Sequence, residues 1–131
     1  MTSEMYWTCR NTAQRLWLNG WYVLNDQAAC LRECNGVGAD WMPAWIRTLL
    51  SWLLRIFAPA VAIHDMRYFL GEGDRHQWDE EFEMNCRKLA RDAYSKYNPL
   101  RYLAYSVAHR LRIILTVSGE IAWNNAKEKH T

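Results

Sequence analysis

The sequence has no excess of charge of one sign, no internal repeat and no low-complexity segment. Its 131 residues include 16 Lys and Arg and 14 Asp and Glu, which gives a formal net charge of +2. Nucleic-acid-binding domains usually carry a concentrated basic patch, so no nucleic-acid partner is expected. The length and the hydrophobic fraction of 50% predict one folded domain over residues 1–131, with a core of its own.

The chain also lacks an uninterrupted apolar segment that would cross a membrane. Its most apolar stretch, residues 41–63, is interrupted by Pro43, Arg47, Arg55 and Pro59. An arginine at the centre of a membrane helix costs about 2.5–3.5 kcal/mol, so two of them offset most of the gain from the leucines and isoleucines. We expect instead a helix that lies against a core or along a membrane surface.

A secretory signal is missing from the beginning of the sequence. Residues 1–7 include Glu4 and show no basic region followed by an apolar run. The sequence therefore favours a cytoplasmic or membrane-peripheral protein.

The four cysteines form no Cys-x-x-Cys pair of the kind found in structural zinc sites, so such a site is not expected. Two disulfides or four free thiols are both compatible with the sequence, because connectivity cannot be read from spacing. The cysteines are Cys9, Cys30, Cys34 and Cys86.

Aromatic residues, by contrast, are abundant: the chain has eight Trp and seven Tyr. Tryptophan is suited to places where one side is apolar and the other is wet. The content therefore favours either an aromatic-rich core or an interfacial surface.

The spacing of apolar residues predicts an all-α fold. Sustained period-two alternation is missing, so strands are expected at most as a minor hairpin near the N-terminus. Asp26 is suited to cap a helix, Pro59 to begin one, and Gly119 to end one before a polar tail, 120–131. The predicted helices are 12–18, 27–34, 43–57, 60–70, 77–97 and 100–118. The apolar face predicted for the last helix consists of Leu100, Leu103, Val107, Leu111, Ile114 and Ser118.

The most informative segment is His-Asp-Met-Arg-Tyr at residues 64–68. On a helix, His64 and Tyr68 share one face, whereas the side chain of Asp65 diverges from that of its neighbour. His64 therefore needs a different carboxylate to orient its ring, and Asp65 is available to hold a cation.

Asp79 is the carboxylate predicted to meet His64. It follows fifteen residues later, and the connection through Gly71 and Gly73 is long enough to fold the next helix back antiparallel. The alternative is that Asp79 is a charge near the beginning of that helix, where the helix dipole favours it.

A His-Asp-x-x-Tyr sequence on a helix after an apolar run resembles the active-site helix of the phospholipase A2 superfamily. The short loop and the following helix with Asp and Phe resemble its compact bacterial and phage members. Residues 34–38, Cys-Asn-Gly-Val-Gly, are similar to the glycine-rich calcium loop of that family. The chain is also similar to uncharacterised phage proteins in which an Asp-x-x-Pro element, here residues 40–43, precedes the apolar helix. The resemblance covers roughly residues 34–86.

The sequence departs from the family pattern in two ways. Val61 and Arg67 stand where the secreted phospholipases usually carry cysteines. The stretch that resembles the calcium loop ends 26 residues before His64, with a predicted helix between them.

The resemblance implies calcium-dependent hydrolysis of a phospholipid acyl ester. In that reaction His64 would be the general base, Asp79 would orient it, and Tyr68 would hold Asp79. Ca²⁺ would be bound by the Asp65 carboxylate and by the backbone carbonyls of Gly36 and Gly38.

A lipolytic enzyme also needs a surface that meets phospholipid or a membrane, and the Trp-rich apolar helix is the predicted one. Core packing with a solvated arginine stripe is the alternative. The residues predicted for this surface are Trp41, Trp45, Trp52, Arg47 and Arg55.

Two other functions are compatible with the same sequence. One is a non-catalytic phospholipase A2-like protein of a phage or bacterium, with a structural or binding role. The other is a membrane-active helical protein that has no active site.

Overall fold

The computed structural model describes residues 1–34 and 44–129, and within these ranges it contains helices and no strand. The all-α prediction is confirmed. In place of the predicted hairpin near the N-terminus, Trp21–Asn25 form a 3-10 turn. The helices are α1 Ser3–Arg15, α2 Gln27–Glu33, α3 Ala44–Leu70, α4 Arg75–Ala93, α5 Pro99–Ser118 and α6 Glu120–Lys129.

Helix α1 begins nine residues earlier than the predicted helix 12–18. The Thr2 side chain caps it by accepting a hydrogen bond from the backbone N–H of Met5, at 3.1 Å. Its buried residues are Tyr6, Cys9 and Ala13, spaced by three and four. Because this set is short and mixed in character, the apolar periodicity that marks a helix is weak here.

Helix α3 continues through Pro59, so the prediction that a helix ends before this residue and another begins was wrong. A proline inside a helix lacks one N–H and crowds the carbonyl four residues earlier, at a cost of about 3 kcal/mol. Burial offsets that cost, since Leu53, Phe57, Ala60 and Ile63 on either side are in the core.

The boundaries of α4 differ from the predicted 77–97. Asp74 accepts a hydrogen bond from the backbone N–H of His76 at 3.1 Å and caps the helix, which begins at Arg75 and ends at Ala93. The predicted cap at Asp26 is confirmed, with an Asp26–Ala29 hydrogen bond of 3.1 Å.

Helices α3 and α4 pack antiparallel, as predicted. Trp52 near the beginning of α3 contacts Tyr94 at the end of α4, with ring centroids 6.1 Å apart. At the other end, Tyr68 reaches Asp79. The turn between the helices contains Gly71 at φ +65° and Gly73 at φ +75°, a region that glycine enters without the steric cost of a Cβ.

The apolar face predicted for helix α5 is confirmed only in part. Val107 and Leu111 pack against the core, whereas Leu100, Leu103 and Ile114 are exposed and the fully buried residues are Ala104 and Ala108. Alanine allows close packing of α5 on α4. The spacing of apolar residues does not identify the buried side of this helix, because large apolar residues lie on both sides of it.

The predicted polar tail is also wrong for residues 120–129, which form α6. Trp123 of this helix is buried, and its ring packs edge-on against Tyr68 with centroids 5.4 Å apart. One tryptophan is thus enough to dock an otherwise polar helix.

Two further questions from the sequence are answered within residues 1–34 and 44–129. All four cysteines lie in these ranges and are buried free thiols. No helix there combines the length and the apolar character that crossing a bilayer requires.

Candidate functional site

The centre of the candidate site is the carboxylate of Asp79, which is fully buried between α3, α4 and α5. Its Oδ1 lies 2.7 Å from Nε2 of His64 and 2.8 Å from the hydroxyl oxygen of Tyr68. The structure therefore brings the three residues predicted to be catalytic into one hydrogen-bonded cluster. Helix periodicity explains part of this, because His64 and Tyr68 are four residues apart on α3.

Two residues of the cluster were not predicted from the sequence. Thr116 of α5 donates a hydrogen bond from its hydroxyl to Oδ2 of Asp79, at 3.2 Å. Arg75 donates to the backbone carbonyl of Thr116 at 2.8 Å, and its guanidinium lies 3.9 Å from the same Oδ2. A threonine fifty-two residues after His64 carries no local sequence signal for such a role, since only the packing of α5 on α4 brings it there.

The hydrogen bonds fix the protonation pattern of the cluster. Burial raises the pKa of the Asp79 carboxyl, but the hydrogen bonds from His64 and Tyr68 and the positive charge of a protonated His64 outweigh burial and lower it below 3.8. Asp79 is thus an acceptor near neutral pH. Burial and the bond to this anion raise the pKa of Tyr68, which remains a donor. With Asp79 accepting, Nε2 of His64 carries a proton, and the neutral ring has its lone pair on Nδ1.

The His64 ring is held by aromatic neighbours on two sides. Its centroid lies 4.4 Å from that of Tyr68 and 5.5 Å from that of Phe82. Within the described residues, Nε2 is the only ring nitrogen for which a hydrogen-bond partner is found. His64 is 6% exposed, so most directions of approach to the ring are closed.

The position of Tyr68 depends on Gly119, where α5 ends and α6 follows. A Cβ on Gly119 would lie 2.7 Å from the Tyr68 hydroxyl oxygen and 2.5 Å from the backbone oxygen of Leu115. Both distances are shorter than real contacts allow. A glycine here therefore permits the close approach of α5 and Tyr68.

Arg67 forms a second link between α3 and α4 beside the cluster. Its guanidinium contacts both carboxylate oxygens of Glu81, at 3.0 and 3.1 Å, and lies 3.9 Å from the ring centroid of Trp78. A bidentate, partly buried pair of this kind is geometrically specific. Arg67, one of the two residues that stand where the secreted phospholipases usually carry cysteines, thus forms an ion pair that connects α3 to α4.

Asp65, the predicted calcium ligand, lies beside a small recess and on another side of α3 from the cluster. The walls of the recess are mainly apolar, formed by Met1, Met5, Cys34, Ala58, Val61 and Ala62. Gly36 and Gly38, the other predicted ligands, are outside the described residues. Calcium prefers six to eight oxygen ligands, and within the described residues there is no group of three or more His, Cys, Asp or Glu side chains that would hold a metal ion. The described residues thus supply one carboxylate, that of Asp65, and the rest of the predicted calcium shell belongs to residues outside the described ranges.

The predicted membrane-surface residues are distributed along α3 and before it. Trp52 is half-buried against the core and Tyr94, while Arg55 is exposed. Trp41 is outside the described residues. Trp45 and Arg47 belong to α3, but their side chains are also outside the described part. The prediction of a lipid surface on this helix stays a prediction.

Comparison with known proteins finds no match for this chain. No protein-family model matches the chain, and no curated protein or solved structure shows significant similarity to it.

Proposed function

We propose that this protein is a phospholipase A2-like hydrolase that cleaves an acyl ester of a phospholipid. The observation that carries the proposal is the contact of 2.7 Å between Nε2 of His64 and Asp79, on a carboxylate that Tyr68 also holds at 2.8 Å. A histidine with one nitrogen bound to a buried carboxylate is equipped to act as a base with the other.

The chemistry follows from the protonation pattern. Nδ1 of His64 accepts a proton from a water molecule as that water attacks the ester carbonyl carbon. Asp79 stabilises the imidazolium that results, and the bonds from Tyr68 and Thr116 hold the carboxylate in place. His64 then returns the proton to the alkoxide oxygen that leaves. A general base of this kind contributes about 10²–10⁴ to the rate.

Calcium at Asp65 is a separate part of the proposal. A bound Ca²⁺ would supply positive charge for the oxyanion of the transition state. Isothermal titration of the wild type is expected to show micromolar to millimolar affinity, because one carboxylate and neutral carbonyls make a weak site. Asp65→Asn should lose the heat of binding, and Asp92→Asn, an exposed control, should keep it. Equal heats for wild type and Asp65→Asn would exclude this role.

The hydrolase is tested by release of fatty acid from mixed phospholipid–detergent micelles, in calcium and in chelator. His64→Gln should lower the rate about 10²–10⁴-fold. His109→Gln is the matched control, because His109 is exposed and contacts Glu83 instead, at 3.0 Å. A wild type with no activity on any lipid, or activity that survives His64→Gln, would exclude the mechanism.

The second candidate is a non-catalytic protein in which the cluster only joins helices. The observation that favours it is the 6% exposure of His64, since a buried, satisfied histidine is a common core element. In that case His64→Asn, which removes the donor to Asp79, lowers stability, and neither His64→Asn nor His64→Gln alters a reaction rate.

A further inference from the structure

The outer face of α5 has an unusual distribution of side-chain sizes. Ala104 and Ala108 are fully buried, and Val107, Leu111 and Leu115 also pack against the core. Further large apolar residues of the same helix point outwards. We define the α5 outer face by its exposed apolar members, Leu100, Tyr102, Leu103, Ile113, Ile114 and Val117. Val117 is 78% exposed. Large exposed apolar side chains at both ends of a helix about 30 Å long are typical of a surface that contacts something else.

The charges on α5 indicate what that contact is. The helix contains Arg101, Arg110 and Arg112 and no Asp or Glu. Arg112 is bound to Glu83 and Glu80 of α4, at 3.0 and 4.0 Å, and Glu80 lines a recess with Ile113 and Val117 at one end of the face. Arg110 is exposed among the apolar residues. A helix with exposed apolar side chains and arginines but no acidic residue is complementary to an anionic lipid surface.

Pairing of the α5 outer face with a second copy of the chain is disfavoured by the same charges. Arg110 is at the midpoint of the face, seven residues after Leu103 and seven before Val117. An antiparallel pair of α5 helices would therefore place two Arg110 guanidinium groups opposite each other. Like charges in direct opposition destabilise such a contact.

We propose that the α5 outer face is the surface by which this protein binds an anionic phospholipid bilayer. The choice of a lipid as the partner rests in part on the proposed function, whereas the choice of surface rests on the exposure and charge of α5. The surface differs from the one predicted on α3. Tyr102 fits this role, because its ring is exposed and its hydroxyl donates to the Lys96 carbonyl at 2.8 Å, and tyrosine is favoured at membrane interfaces.

Flotation with vesicles tests the proposal on the full chain. The vesicles contain ether-linked phosphatidylcholine with or without 30% ether-linked phosphatidylglycerol, a proportion of about one anionic lipid in three chosen to give a negative surface potential, and the buffer contains chelator. The protein should float with the anionic vesicles. The double variant Ile114→Asp and Val117→Asp should lower the bound fraction about tenfold or more, because acidic side chains replace apolar ones at a negative surface.

Matched controls separate this surface from a general effect. Trp7→Asp changes an exposed apolar residue of α1 and should leave binding unchanged. Arg110→Gln should weaken binding to anionic vesicles severalfold, while Arg15→Gln, with the same change in charge on α1, should not. The proposal would be overturned if Trp7→Asp lowered the vesicle-bound fraction as much as the double variant does. It would also be overturned if the wild type did not float with anionic vesicles.

A labelled variant tests the surface without destabilising substitutions. The native thiols are buried, so an environment-sensitive maleimide dye on Val117→Cys reports position 117 selectively. Its emission should shift to the blue with anionic vesicles, whereas the same dye on Trp7→Cys should not respond. Concentration-dependent dimers that the double variant abolishes, with no dye response to vesicles, would overturn the lipid surface in favour of self-association.

The outcome is separable from that of the hydrolase assay, because ether-linked lipids contain no acyl ester to hydrolyse. Vesicle binding without fatty acid release from ester-linked lipid would exclude the hydrolase and support the surface. If the wild type releases fatty acid and the double variant floats with vesicles as well as the wild type does, the hydrolase is supported and the surface is excluded.

Discussion

Replacement of Asp79 by Asn should destabilise the protein by about 3 kcal/mol. The amide oxygen of Asn can keep the two contacts of Oδ1, from His64 and Tyr68. Both then lose the extra strength that an ionised acceptor provides, roughly 1 kcal/mol each. The amide nitrogen replaces Oδ2 and no longer accepts from Thr116, which adds about 1 kcal/mol.

The pH dependence gives this prediction a second, independent readout. The pKa of Asp79 in the folded state is below its ordinary value of 3.8. A depressed pKa means that the carboxylate stabilises the fold fully above the unfolded-state value, and that this contribution is lost as pH falls through the folded-state value. The difference in unfolding free energy between wild type and Asp79→Asn should therefore shrink as the pH falls below 3.8.

Urea unfolding followed by tryptophan fluorescence and by circular dichroism measures both effects. Asp92→Asn is the control, because Asp92 is an exposed partner of Arg15 at 3.2 Å and should cost less than about 1 kcal/mol. A cost below about 1 kcal/mol for Asp79→Asn, or a cost that persists undiminished at acid pH, would refute the assignment of Asp79 as the buried anion of the cluster.

Three further predictions concern the surroundings of the cluster. Tyr68→Phe should cost about 1–2 kcal/mol in urea unfolding, because it removes one of several donors to Asp79; an unchanged midpoint would contradict the 2.8 Å bond. Gly119→Ala should destabilise the protein by about 1–3 kcal/mol, since its Cβ overlaps the Tyr68 side chain and the Leu115 carbonyl oxygen. Adding Tyr68→Phe should leave the share of this cost that comes from the Leu115 carbonyl unchanged. Aromatic thiol reagents at pH 8 should leave the four cysteines unmodified until denaturant is added, because all are buried and burial raises the pKa of Cys9 to about 11; rapid modification of the native protein would refute this.

The part of the site that could be predicted depends on local rules. The His-Asp-x-x-Tyr spacing places His64 and Tyr68 on one face of a helix, and glycines in the following turn favour an antiparallel return. These two rules are sufficient to bring Asp79 opposite His64. Thr116 could not be predicted, because it reaches Asp79 only through the packing of α5, which no local pattern specifies.

The errors in the predicted fold have a common physical cause, which is that tertiary packing overrides local signals. Pro59 normally ends a helix, yet burial on both sides keeps α3 continuous. Residues 120–129 have the composition of a polar tail, but Trp123 docks them against Tyr68. In α5 the small residues Ala104 and Ala108 face the core, and an apolar-periodicity argument gives alanine too little weight.

The structural and catalytic roles of His64 use different nitrogens, and two substitutions separate them. The terminal amide of Gln reaches the position of Nε2, so His64→Gln can still donate to Asp79 but has no base at the position of Nδ1. The shorter amide of Asn reaches the position of Nδ1 and leaves Asp79 without this donor. If His64 is a base, both variants lose fatty acid release, although His64→Gln stays folded and His64→Asn loses about 1–3 kcal/mol of stability. If the cluster only joins α3 to α4, stability follows the same order and no lipid assay responds. Equal stability of the two variants would contradict the 2.7 Å contact with Asp79, from which both roles are argued.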